Sequence, residues 1–69
     1  MPKMHPHDSS VTTHHGYDEK TEELHLTFKS GETHAYRVSQ EFYNRYLQAD
    51  SKGKFFNQNL RNHPFRRVR

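Results

Sequence analysis

The order of periods in this chain predicts an α+β domain, a three-stranded antiparallel β-meander followed by two helices packed on one face. Three observations carry that prediction. Apolar, aromatic and β-branched residues alternate with a period of two as far as Val38. Two turn-forming stretches, DEKT and KSGE, interrupt the alternation. At Ser39 the period changes to that of a helix.

Residues 1–8, MPKMHPHD, hold two prolines and no periodicity, so they are expected to be a disordered arm ahead of a domain over 9–69. The first strand, roughly 10–17, offers Val11, Thr13, His15 and Tyr17 on one side. The second, roughly 22–29, alternates cleanly, with Leu24, Leu26 and Phe28 inward and Glu23, His25 and Thr27 outward. Gly31 supplies the positive φ that the KSGE turn needs. The third, roughly 33–38, places His34, Tyr36 and Val38 on one face.

Ser39 is a good N-cap for a helix near 40–49, with Glu41 in the first turn where negative charge favours the dipole. Phe42, Tyr43, Tyr46 and Leu47 form its apolar stripe. Ser51 caps a second helix near 52–61, in which Phe56 and Leu60 share a face, and Pro64 closes it. The expected core is Tyr17, Leu26, Phe28, Tyr36, Phe42, Tyr46, Leu47, Phe56 and Leu60.

Composition sets limits on this reading. Leu, Val and Phe make up only 12 of the 69 residues and isoleucine is absent, a balance that leans towards disorder. The net charge of +3 and the nine aromatic side chains lean the other way, because each aromatic can bury about 150–250 Å². The chain has no cysteine, which excludes disulfides and thiolate chemistry. No apolar run reaches membrane-spanning length and no signal-peptide pattern opens the chain, so a cytoplasmic protein with no membrane association is expected.

Four segments together resemble one family: SS with GYD in residues 9–18, LHLTFKSGETHAYRV in 24–38, FYNRYLQADSKGKFFNQNLRN in 42–62, and the closing HPFRRVR. The combination of Gly-Tyr-Asp, Phe-x-x-Gly, Ala/Ser-x-Ser-x-Gly-x-x-Phe-Asn and a basic-aromatic tail is similar to the KTSC domain. That family takes its name from the C-terminus of some lysyl-tRNA synthetases and also occurs as a stand-alone small protein in bacteria and their phages. Its central Tyr-x-Tyr stands here as His34-Ala35-Tyr36, and its Val-Pro as Val38-Ser39. The resemblance implies the α+β fold, and the synthetase association implies RNA as a ligand.

Charge points the same way. Residues 1–39 carry four Lys/Arg against six Asp/Glu, whereas residues 40–69 carry seven against two. A non-enzymatic nucleic-acid-binding module, RNA ahead of DNA, is therefore expected, with phosphate contacts from Arg45, Lys52, Lys54, Arg61, Arg66, Arg67 and Arg69. Asn59, Asn62, Tyr43 and His34 are accessory candidates, and Asn57 is read as a capping residue. Phe65 is expected to pin the tail so that Arg66, Arg67 and Arg69 stand near Lys52, Lys54 and Arg61.

The alternative is a protein-interaction module, an adaptor or a phage-encoded inhibitor docked on a host or cellular protein, as a monomer or weak homodimer. The bland reading of the same charges is a solvated surface. An enzyme is not expected: no carboxylate is spaced to form a general acid–base pair, and the domain is small for a deep pocket. His5, His7, His14 and His15 match no established metal-site spacing, so neither metal nor cofactor is expected.

Overall fold

The computed structural model describes residues 2–69. Its elements run β1 (His5–Pro6), β2 (Thr12–Asp18), β3 (Glu23–Phe28), β4 (Thr33–Arg37), α1 (Gln40–Gln48), α2 (Lys52–Asn59) and β5 (Arg66–Arg67). One antiparallel sheet holds all five strands in chain order. The α+β class holds, but the expected three-stranded meander is only the centre of the sheet. A two-residue strand adds to each edge, and elements that short carry no period to read.

β1 belongs to the segment expected to be an arm, of which Met1 lies outside the described residues. His5 pairs with His15 and Pro6 with His14. Proline is tolerated there because an edge strand does not need every N–H. Side chains hold the segment as well: His7 Nδ1 is 2.9 Å from His15 Nδ1, and its Nε2 is 2.6 Å from the Thr12 hydroxyl.

A bulge in β2 corrects one sequence expectation. The register of β2 against β3 shifts between Thr12 and His14, so Thr12 rather than Thr13 turns inward with His15 and Tyr17. Thr12 and His15 are buried as a result. The β2–β3 turn is held by Asp18 Oδ1, which accepts from the Lys20 and Thr21 N–H groups. The β3–β4 turn uses Gly31 at φ 97°, as the sequence predicts.

The core lies between one sheet face and the helices. Leu24, Leu26, Tyr36, Val38, Tyr46 and Leu60 are buried together, and Tyr17, Phe28, Phe42, Tyr43, Phe55 and Phe56 pack around them. The adjacent phenylalanines divide the work: Phe56 meets Phe28 and Tyr36 edge-on, and Phe55 meets Phe42 and Tyr46. Ser39 and Ser51 cap the helices by accepting from the N–H groups of Phe42 and Lys54.

Two side chains depart from expectation. Leu47, assigned to the core, is 43% exposed. The inward direction of α1 runs through Tyr46, flanked by Phe42 and Tyr43, and Leu47 falls past the edge of that stripe. His25, expected outward, does lie on the face away from the helices but is 3% exposed. Its row in the sheet is Gly16, His25 and Ala35, and the two small flanking residues let it sink between its neighbours.

Candidate nucleic-acid interface

The basic residues do not form the single cluster expected from the sequence. Lys52 and Lys54 sit at the start of α2, which packs on the segment leading into β2: a Cβ built on Gly53 would stand 2.6 Å from Ser10 Oγ. Lys52 Nζ lies 5.4 Å from the centre of the Tyr46 ring, a cation–π contact beside the His7–His15 pair. Arg66, Arg67 and Arg69 lie at the other edge of the sheet, along β4. β2 and β5 are three strand spacings apart, about 14 Å, so the tail is not held beside Lys52 and Lys54.

The tail is nevertheless ordered. Arg67 pairs with His34 and Arg66 with Ala35, while the Val68 and Arg69 N–H groups donate to the Thr33 carbonyl. Phe65 provides the side-chain anchor foreseen in the sequence. Its ring lies flat on the His34 imidazole, 4.2 Å between centroids and 9° between planes. The Tyr36 ring, 5.7 Å away, closes one side.

Arg61 is exposed at the far end of α2 from Lys52 and Lys54. It sits in the turn after α2, between buried Leu60 and His63, whose ring meets Tyr36 of β4 edge-on. Arg37 stands at the end of β4, on the face that Ala35 shares. It lines a shallow groove of about 210 Å³ together with Glu23, Ala35, Pro64, Phe65 and Arg66. Sequence reasoning missed Arg37 because it falls in the acidic half of the chain. Strand alternation, which turns it away from Tyr36 and Val38, was the available signal.

Two of the arginines are partly neutralised. Arg66 donates to Glu23 at 2.8 Å, and Arg67 Nε lies 3.6 Å from Glu32. The hydrogen bond from Arg66 holds the Glu23 carboxyl below the usual carboxylate range. Both guanidinium groups keep most of their surface in water, their side chains being 60% and 66% exposed. Arg45, on α1, lies over the Phe42 ring at 5.6 Å and is separate from both groups.

The accessory candidates fare unevenly. Tyr43 is no free platform: it stacks on Tyr17 at 4.8 Å and lies beside Tyr46. His34 is half-buried between Phe28 and Phe65, with Nε2 3.3 Å from Glu32, so it supports Phe65 rather than facing solvent. Asn59 is exposed, and its side chain donates to the Phe55 carbonyl one turn back. Asn62 is exposed in the turn after α2. Asn57, read as a cap, is exposed within α2 rather than at its end.

Among the described residues no helix is long and apolar enough to cross a membrane, and no group of three His, Cys, Asp or Glu side chains could hold a metal ion.

A five-stranded antiparallel sheet with two capped helices on one face and a basic strand on its last edge defines a small α+β module. The KTSC domain model matches residues 8–65 of the chain, which therefore belongs to the KTSC domain family. A crystal structure of a KTSC domain protein from Yersinia pestis is similar over 100% of both chains, with a TM-score of 0.89 and 25% sequence identity. No curated protein matches the chain.

Proposed function

We propose that this domain is a non-enzymatic, cytoplasmic binding module for a polyanion, RNA ahead of DNA. The observation that carries the reading is the ordered tail: β5 and Phe65 hold Arg66, Arg67 and Arg69 along β4, and Arg37 shares a groove with Arg66. Cations fixed on a strand bind phosphate at a lower entropic cost than cations on a loose tail. Their contacts supply affinity and register without reading sequence. Lys52 and Lys54 extend the surface across the sheet rather than completing one patch. A strand of nucleic acid engaging both groups would run along α2, from its N-terminus to the Arg61 turn.

The RNA preference rests on the association of related domains with lysyl-tRNA synthetases. A protein partner is the competing reading, with exposed Leu47 and Phe65 as its available apolar anchors. Capture of partners from a lysate with and without nuclease separates the two. Nuclease-sensitive recovery of RNA is expected, and a protein partner retained after nuclease treatment, with no RNA recovered, would overturn the proposal.

A further inference from the structure

We propose that Phe65 is a stacking platform for one unpaired base, so that the ligand is a single-stranded polynucleotide rather than a duplex. The inference deepens the polyanion reading and rests on it. Phe65 is the one large aromatic residue among those described that is exposed, at 55%. It is also rigid. One face lies flat on His34, His34 is backed by Phe28 at 4.7 Å, and the Phe65 backbone leads directly into β5. With that face covered, the residue is still more than half exposed.

A ring held in this way has already lost the freedom that a loose side chain must give up on binding. Every base has a π-face, so stacking on such a ring is tolerant of sequence but requires a base that is not already stacked in a duplex. The surroundings match a polynucleotide rather than an isolated apolar group. Phe65 lines the groove that contains Arg37 and Arg66, and Arg67 follows two residues later on the same short strand. An aromatic face flanked by guanidinium groups offers a base its stacking partner and the adjoining phosphates their counter-charges. The carboxylate in the groove, Glu23, is already engaged by Arg66.

The test compares three labelled probes by fluorescence anisotropy at one low salt concentration: a short oligouridylate, an abasic strand with the same number of phosphates, and an RNA duplex of the same length. The parent protein is expected to bind the oligouridylate about 5- to 100-fold more tightly than the abasic strand. Phe65→Leu should lose that preference, while Phe65→Tyr should retain it. Equal affinity of the parent for base-bearing and abasic strands would overturn the stacking role and leave the polyanion reading standing. So would an undiminished preference in Phe65→Leu. Failure of all three probes to bind would overturn both. The abasic comparison needs no substitution, so it decides the matter even if a variant misfolds.

Discussion

The carbonyl oxygen of Lys3 lies 2.5 Å from the point where a Cβ on Gly16 would stand, and the Met4 sulfur lies 2.8 Å from it. Gly16 is the glycine of the Gly-Tyr-Asp stretch, and its missing side chain lets the N-terminal segment cross the sheet face opposite the helices. Backbone contact at that distance cannot be relieved by turning a side chain. Gly16→Ala should therefore displace residues 2–6 and cost about 1–3 kcal/mol. Thermal melts combined with amide exchange at His5 and His15 check this. Fast exchange near β1 with the rest of the sheet protected is the expected pattern.

The same edge makes stability depend on pH. Burial, then the neighbouring His7 and His5, push the His15 imidazole down to about 4, and burial followed by Lys52 lowers that of His7. Both groups are neutral in the folded protein and take up protons more readily when it unfolds. Their contribution is present above about pH 6.5 and is lost as pH falls from there towards 4. Chemical denaturation at a series of pH values should show falling stability across that window. His15→Asn should flatten it, and an unchanged pH profile in that variant would place the sensitive group elsewhere.

Core substitutions distinguish the observed packing from the packing read off the sequence. Phe56, edge-on to Phe28 and Tyr36, should cost about 3 kcal/mol when changed to alanine, the low end of the range for a partly exposed ring. Leu47→Ala should stay within about 0.5 kcal/mol, because Leu47 already faces water. Urea denaturation of the two variants provides the comparison. Equal losses would mean that α1 is rotated from the position described.

The long elements were legible in the sequence because each carries several repeats of its own period. Leu24, Leu26 and Phe28 specify a strand face, and Ser39 and Ser51 mark helix starts that side-chain caps then occupy. What escaped were features without a period. β1 and β5 are two residues long, and the bulge beside Thr12 changes phase within a strand. Leu47 failed for a different reason: a four-residue apolar stripe does not say which of its margins the second helix will cover. The candidate interface was legible as a charge imbalance but not as a shape. Its division between the start of α2 and the β5 edge of the sheet follows from strand order and helix placement, and the inclusion of Arg37 from its place at the end of β4.

Neutralisation of Arg66 and Arg67 by Glu23 and Glu32 leads to a gain-of-function prediction. Glu23→Gln and Glu32→Gln each release an arginine that the folded protein holds in an ion pair. Each should strengthen polyanion binding and steepen its salt dependence, measured by anisotropy with a labelled single-stranded RNA. Weakened binding in both variants would mean that the ion pairs orient the guanidinium groups productively instead of competing for them.

The central claim, that the ordered basic tail binds phosphates, is tested most directly by the affinity for single-stranded RNA across a salt series, in the parent and in Arg66→Ala, Arg67→Ala and Arg69→Ala. The predicted result is a linear fall of log K with log salt in the parent. Each substitution should flatten that slope by about 0.7 for every phosphate that the protein no longer neutralises. Binding that is absent at low salt, or whose slope is the same in all four proteins, would contradict the claim.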